Sequence, residues 1–454
     1  AQVLIESFYP RMQTSLLKDD SRLTDEDTVI YADTSMCEGV SKKEAHDRFK
    51  KNLYLKLQGD TGKNLPWGYL TGVRPSKIAY SMLEAGNSDE EIMSEFEEKH
   101  FVSHDKAELA MQVAKTEKKI LEDIDYTNGY SIYIGIPFCP TTCLYCSFTS
   151  YSLAANRSKV DLYLDALVKE MRFVADRMKG RRLDTVYFGG GTPTTLEPEQ
   201  LDRLLNELEA DFDMSTVKEL TVEAGRPDSV TVQKLEVLKK HGVDRISINP
   251  QTMNDKTLEI IGRRHSATQV EEAFKLARSV GFDNINMDII LGLPGEGINE
   301  LRYTLDKIKE LKPESLTVHS LAIKRAAALN IWREKYEDLK FENSDETVSL
   351  AQKYAGDIGC MPYYMYRQKN MAGNLENVGY SVPEKECIYN ILIMEEKQTI
   401  IAMGAGASTK AVFDADQPGP RIERVENVKD LTSYISRIDE MIERKRIFFD
   451  NNML

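Results

Sequence analysis

Tyr133-Ile-Gly-Ile-Pro-Phe-Cys-Pro-Thr-Thr-Cys-Leu-Tyr-Cys146 is a β-prone apolar run that feeds directly into three cysteines. Cys139, Cys143 and Cys146 are separated by three and then two residues, so one short loop can fold all three thiols around one centre. Three cysteines cannot pair among themselves, and nothing else in the chain suggests export. Structural zinc wants a fourth ligand, and no His or Cys lies within the next several tens of residues. The spacing reads as a four-iron cluster held by three thiolates, one ligand short, which leaves an iron open to substrate or cofactor.

Working outward, the region from Ser131 to about Leu321 alternates short β-branched runs with amphipathic helices. Strands read at Ser131–Pro137, Asp184–Phe188, Glu219–Glu223, Asp244–Ile248, Asn284–Leu291 and Ser315–Leu321. Helices read between them at Lys159–Met178, Glu199–Ala210, Val230–His241, Thr268–Val280 and Glu300–Leu311. Six βα units in series predict an α/β fold, a partial (βα)6 TIM-like barrel with a parallel sheet and helices outside. Its functional end is the carboxyl ends of the strands. The unusual residues fall there: the cysteines after the first strand, Gly189-Gly-Gly-Thr-Pro193 after the second, Glu223 at the end of the third, Gln251 after the fourth, Asp288 late in the fifth. A carboxylate pointing inward at Glu223 needs a polar partner, and an ion pair with Arg226 or Arg245 is the structural alternative to a ligand.

The flanks read differently. Residues 1–127 form a mostly helical N-terminal domain with some strand at its start and helices at Lys42–Gln58, Ser76–Glu84 and Asp105–Asp123. Its turn-rich stretch Leu65-Pro-Trp-Gly-Tyr-Leu-Thr-Gly-Val-Arg-Pro75 is either a packed loop or a surface that meets the catalytic domain or a ligand. The barrel occupies 128–325, and 326–454 an α+β C-terminal cap on its open side. The cap has helices at Asn330–Tyr336, Ser344–Ile358 and Val428–Arg446, an aromatic run Tyr363-Tyr-Met-Tyr-Arg367, and a strand into a small-residue turn at Ile400–Ser408.

With 73 acidic against 59 basic residues in 454, the formal charge is −14, which argues against gripping nucleic acid as the main task. No run of eighteen apolar residues predicts a membrane span. The start lacks the basic flank and apolar core of a signal peptide, and it begins on Ala rather than Met, which leaves room for residues before it. Cys37, Cys360 and Cys387 are scattered singly, which suits reduced thiols in a cytoplasm.

The residues resemble those of radical S-adenosylmethionine enzymes, specifically the oxygen-independent coproporphyrinogen III oxidases, or coproporphyrinogen dehydrogenases. The loop near Arg74, the motif Ile136-Pro-Phe-Cys-Pro-Thr-Thr-Cys-Leu-Tyr-Cys-Ser-Phe148 and the stretch Val222-Glu-Ala-Gly-Arg-Pro-Asp228 are most similar to the HemZ branch. The resemblance implies that Cys139, Cys143 and Cys146 hold a [4Fe-4S] cluster whose open iron chelates S-adenosylmethionine. It implies that Tyr133 and Tyr145 are cofactor-contacting aromatics, that Gly191 and Thr192 lie near the methionine moiety, and that Glu223 binds the cofactor. Gln251, Arg263, Asp288 and Ser320 match residues that surround a second S-adenosylmethionine. The implied reaction takes an electron from a donor such as flavodoxin or ferredoxin, forms a 5′-deoxyadenosyl radical and oxidatively decarboxylates propionates of coproporphyrinogen III to vinyl groups.

One departure stands out. The decarboxylating members continue to a fourth cysteine, where this chain has Ser147 and Phe148. Relatives without that cysteine include a haem chaperone, and others open the haem ring or transfer methyl groups. For a carrier, His319 is the best haem-ligand candidate, set against a hydrogen-bonded core histidine. For the tetrapyrrole carboxylates, Lys324, Arg325 and Arg367 are the cationic candidates nearest the barrel mouth in sequence.

Anaerobic reconstitution should load about four irons per chain, and Cys139→Ala, Cys143→Ala or Cys146→Ala should each lose them. Replacing Cys360 or Cys387 should leave iron content unchanged. Normal iron in Cys143→Ala would overturn the ligand assignment.

Overall fold

The computed structural model describes residues 2–9, 29–30, 38–72, 74–146, 148–321, 343–367, 375–415 and 420–452. Cys37, Lys324, Arg325 and the helix expected over 330–336 lie outside them. The six expected strands form as β1 (Tyr130–Ile136), β2 (Leu183–Gly190), β3 (Glu219–Glu223), β4 (Arg245–Ser247), β5 (Ile285–Leu291) and β6 (Ser315–Ser320). All five pairings between successive strands are parallel. Each connection carries helix, chiefly Val160–Arg177, Pro198–Asp211, Val232–Lys240, Ala267–Val280 and Ile298–Leu311.

The sheet does not stop at six. Residues after 360 supply β7 (Met361–Tyr366), β8 (Asn377–Ser381), β9 (Thr399–Met403), β10 (Ser408–Phe413) and β11 (Arg421–Glu426). Among the described residues the order is β11-β10-β9-β1-β2-β3-β4-β5-β6-β8-β7. The carboxyl-terminal region therefore adds strands to both edges: β9 runs parallel to β1, and β8 antiparallel to β6. An exposed edge is a row of unpaired backbone groups, and these additions cover both ends of the six-stranded unit.

The two faces of β1–β6 differ in chemistry. Ile132, Ile134, Val186, Phe188, Leu220, Val222, Ile246, Met287, Leu316 and Val318 share one face and are buried with the apolar stripes of the helices in one core. The residues between them are Ser131, Tyr133, Thr185, Tyr187, Thr221, Glu223, Arg245, Ser247, Asn286, Asp288, Ser315, Thr317 and His319. Parallel sheets covered on both sides are ordinarily apolar on both. Here the inner wall is polar along its whole width, and its members bond each other, as in Thr185 Oγ1 to Ser131 Oγ at 2.8 Å and Thr317 Oγ1 to Asn286 Oδ1 at 3.1 Å.

The chain's start forms a helix, Gln2–Phe8, rather than strand. Its apolar Leu4 and Phe8, about one helical turn apart, pack against Leu53, Tyr54 and Leu57 of the helix Lys42–Thr61. The loop 65–75 meets the carboxyl-terminal region. Trp67 Nε1 donates to Glu376 Oε2 at 2.6 Å, Lys106 Nζ donates to Glu376 Oε1 at 2.7 Å, and Arg74 pairs with Glu396 at 2.8 Å. The final helix is split into Leu431–Ser436 and Ile438–Asn452. No helix among the described residues is long and apolar enough to cross a membrane.

A second buried ion pair fixes the turn after β9. Lys445 Nζ donates to Glu170 Oε1 at 2.6 Å, both side chains fully buried. Glu170 also accepts from Gly404 N at 2.9 Å, Asn427 Nδ2 at 2.8 Å and Tyr434 OH at 2.5 Å. Gly404 has φ +106, and a Cβ there would lie 2.6 Å from the Gly135 carbonyl, so only glycine fits this turn against β1.

Removing one member of such a pair strands a buried charge. Lys445→Met should cost about 3–5 kcal/mol in urea unfolding, and the pair Glu170→Gln with Lys445→Met should recover much of that loss.

Candidate functional site

The cysteine loop leaves β1 at its carboxyl end and is held on two sides. Gly191 N donates to Ile136 O at 2.8 Å and Thr192 N to Phe138 O at 2.7 Å, which ties it to the glycine loop after β2. On the far side, Leu144 N donates to Ile261 O at 3.0 Å and Thr141 Oγ1 to Gly262 O at 2.9 Å. Leu144 and Tyr145 pack on Leu258, Ile261, Ile290, Leu293 and Leu321 beneath them. The glycine loop thus contributes by approaching protein: a Cβ on Gly191 would stand 2.6 Å from Phe138 O and 2.9 Å from Ile136 O.

The three thiols sit in distinct surroundings. Thr192 Oγ1 donates to Cys139 Sγ at 3.6 Å, and Arg226 NH1 faces Cys143 Sγ at 3.9 Å. Burial pushes the Cys139 thiol up to about 11 and raises Cys146 as well, so a cluster has to displace those protons on binding. Arg263 stays cationic: burial opposes its charge, but Tyr145 and Cys143 outweigh it. A soft thiolate set flanked by a hydroxyl and buried guanidinium groups fits an anionic iron–sulfur cluster.

Glu223 takes no ion pair with either arginine proposed for it. Arg226 pairs with Asp228 at 2.8 Å, and Glu223 Oε1 instead accepts from Tyr187 OH at 2.7 Å. Burial, only partly offset by that bond, raises the Glu223 carboxyl to about 7. Tyr187 in turn stacks on Tyr389, with ring centroids 4.4 Å apart, and on Tyr133 at 6.2 Å. Tyr187 and Tyr389 escaped the sequence reading. Tyr187 could have been found from register, because it stands beside Tyr133 and Thr221 on the inner wall. Tyr389 arrives from a helix, Ile388–Glu395, whose docking no local pattern announces.

Gln251 has φ +66, in the left-handed region that a non-glycine residue adopts at a cost. Its backbone bridges β5, with Gln251 N to Asp288 O at 2.9 Å and Ile290 N to Gln251 O at 3.0 Å. That strained residue directs a buried side chain whose Oε1 has no protein partner; Ser247 Oγ and Arg263 Nε are likewise unpartnered. Buried polar atoms are nearly always satisfied, so this group marks where a polar ligand or water completes the site. Asp288 accepts from Asn286 Nδ2 at 2.6 Å; burial works against its charge, but His319 and Asn286 hold its pKa below the usual value.

Three further candidates are engaged elsewhere. Ser320 Oγ donates to Glu376 O at 3.0 Å, on the side of β6 opposite Asp288. His319, half-buried, lies between Tyr366 OH at 3.4 Å and Asp288 Oδ2 at 3.8 Å. Arg367 is buried, donates to Leu70 O at 2.7 Å and covers the Trp67 ring at 5.5 Å, so it turns away from the mouth.

Residues 133–308 match the Radical SAM superfamily. The chain is 42% identical over 414 residues to the oxygen-independent coproporphyrinogen-III oxidase-like protein HemZ of Bacillus subtilis (strain 168), covering 89% of this chain and 82% of that protein. It is 39% identical over 194 residues to the heme chaperone HemW of the same organism, covering 42% of this chain and 50% of that protein. Among solved structures, the coproporphyrinogen III oxidase HemN from Escherichia coli shares the fold, with a TM-score of 0.55 at 22% identity over 72% of each chain.

Glu223 gives a pH signature. Unfolded, it ionises from about pH 4.5 and upward, whereas folded it keeps its proton to about 7. Stability should therefore fall as pH rises through that window, by about 3 kcal/mol in the ligand-free protein. Glu223→Gln should flatten this part of the stability profile, and an unchanged profile would remove the buried-carboxyl assignment.

Proposed function

Because the chain belongs to the radical SAM superfamily, within the group of oxygen-independent coproporphyrinogen-III oxidase-like proteins that includes HemZ, we propose that it oxidatively decarboxylates propionates of coproporphyrinogen III to vinyl groups. The family uses a [4Fe-4S] cluster and S-adenosylmethionine, and both require a reductant and a substrate to do chemistry. When bound, they supply a radical able to break an unactivated C–H bond.

In this reading Cys139, Cys143 and Cys146 hold the cluster. Tyr133, Tyr145, Gly191, Thr192 and Glu223 hold the first S-adenosylmethionine, and Gln251, Arg263 and Asp288 a second. Ser320, turned toward Glu376, takes no part. Glu223 keeps its orientation through Tyr187, and the partly protonated carboxyl can accept an ammonium group and become fully ionised on doing so. The aromatic stack Tyr133–Tyr187–Tyr389 forms one wall and excludes water from the reacting region. Flavodoxin or ferredoxin is the proposed electron donor.

The single observation that carries the proposal is the strained Gln251, whose backbone bonds Asp288 and whose buried amide oxygen has no protein partner. A carrier has no need to maintain such a costly arrangement, and His319 is already hydrogen-bonded. A second reading, a haem chaperone or a radical enzyme that opens or methylates haem, is favoured by Phe148 at the fourth-cysteine position and by the similarity to HemW.

Anaerobic turnover with coproporphyrinogen III separates them. The reduced enzyme should release 5′-deoxyadenosine and carbon dioxide. Deoxyadenosine without carbon dioxide would defeat the decarboxylase and keep the radical enzyme; haem binding with no deoxyadenosine from any tetrapyrrole would favour the chaperone. Gln251→Ala should lower turnover about tenfold or more, the worth of a hydrogen bond to a charged group, while iron content stays unchanged.

A further inference from the structure

The group packed behind Cys143 is more elaborate than anchoring a loop requires. Arg226 is 3% exposed. Asp228 clamps one edge of its guanidinium, with Nε to Oδ1 at 2.9 Å and NH2 to Oδ2 at 2.8 Å. The turn Pro227–Ser229 contains Asp228 and is capped by Arg226, closed by Ser229 N to Arg226 O at 2.9 Å. The remaining nitrogen, NH1, donates to Thr141 Oγ1 at 3.0 Å and faces Cys143 Sγ at 3.9 Å.

The clamp leaves the guanidinium one direction. With Nε and NH2 taken by the carboxylate, NH1 points into the cysteine loop. His265 closes the far side, its Nδ1 3.9 Å from Asp228 Oδ1. Burial, then Arg263 and Arg226, hold that imidazole neutral, with a pKa of about 3, so it adds no charge of its own. Arg263 also lies beside Cys143, but it donates to the Asn249 carbonyl at 2.5 Å and belongs to the cofactor set.

We propose that Arg226 tunes the reduction potential of the cluster through Cys143, its fixed charge and directed N–H raising the midpoint, while Asp228 aims the guanidinium and offsets part of its charge. This rests on the reading of the three cysteines as cluster ligands. Reduction adds one negative charge to the cluster, and a cation a few ångströms away in a water-poor setting stabilises the more negative state. Hydrogen bonds to the sulfurs and local charge are the protein's levers on such potentials. Arg226 is thus a positioning residue, since it acts on the cluster by way of a ligand. The Arg-Pro-Asp turn makes an electron easier to accept, and the neighbouring carboxylate limits how far that goes.

The test is a redox titration of the whole reconstituted protein, followed by the electron paramagnetic resonance of the reduced cluster, without S-adenosylmethionine or substrate. Arg226→Met should lower the midpoint by an amount equal to about a tenfold loss in the reduction equilibrium, about 59 mV for one electron. Asp228→Asn, which leaves the guanidinium uncompensated, should move it the other way. A fully loaded Arg226→Met with the wild-type midpoint, or Asp228→Asn with an unchanged or lowered one, overturns the inference. If Arg226→Met fails to hold iron, the sign of the shift in Asp228→Asn decides alone. A wild-type protein that takes up no iron overturns the cluster reading itself, which is a different result from loaded clusters with unmoved midpoints.

Discussion

A polar wall inside a parallel sheet has to be paired or it unfolds the sheet. Each buried hydroxyl, amide or carboxylate left without a partner costs about 1–3 kcal/mol, and β1–β6 place such groups on every strand. The protein meets that constraint mostly within the wall: Thr185 bonds Ser131, Thr317 bonds Asn286, Asn286 bonds Asp288, and Tyr187 bonds Glu223. On β4 and the segment after it, Arg245, Ser247, Gln251 and Arg263 keep buried atoms without a protein partner.

The cysteine loop obeys the same logic in its backbone. It has little regular structure of its own, so its carbonyls and amides are satisfied by two neighbouring loops, one on each side. Those contacts position the thiols through protein alone, and they explain why glycine is required at position 191, where the close approach is to Phe138 O and Ile136 O. The electrostatics follow from the placement. Two guanidinium groups reach the same thiol from different elements, one clamped by a carboxylate and one held by carbonyl oxygens.

The βα alternation, the cysteine loop and the inward carboxylates were legible because each is a local pattern: a period, a spacing, a charged residue in an apolar run. Glu223 ends β3, Gln251 follows β4 and Asp288 lies within β5, where that pattern leads, whereas Arg263 follows the short helix Asp255–Ile260. The rest depends on contacts between distant segments. That Ser320 turns to Glu376 and Arg367 to Leu70 follows from partners more than 50 and nearly 300 positions away. The strands β9 and β8 flank opposite edges though they lie close together in sequence, and no periodicity encodes an edge. At the chain's start, where some strand is expected, residues 2–8 are helical: a short apolar run carries the same composition in either state, and the facing helix selects between them. The polar parity of the inner wall was present in the letters throughout, visible in Glu223 and Thr221 but not followed across the other strands.

The pairing of β1 with β9 joins Ile132 to Ile401, so the strand that launches the cysteine loop is completed by residues 269 positions further along. During synthesis from the amino terminus, β1 has its open edge unpaired while the long stretch between Ile136 and Thr399 is still being made. Pairings of such high sequence separation form slowly and leave strand edges open to wrong partners in the interval. The turn at Gly404 that backs onto Gly135 exists only after β9 has docked, and the ion pair that steadies it needs Lys445. Docking of β9 is therefore a late step of folding, and the turn that backs the start of the cysteine loop is complete only once residues 399–445 are in place.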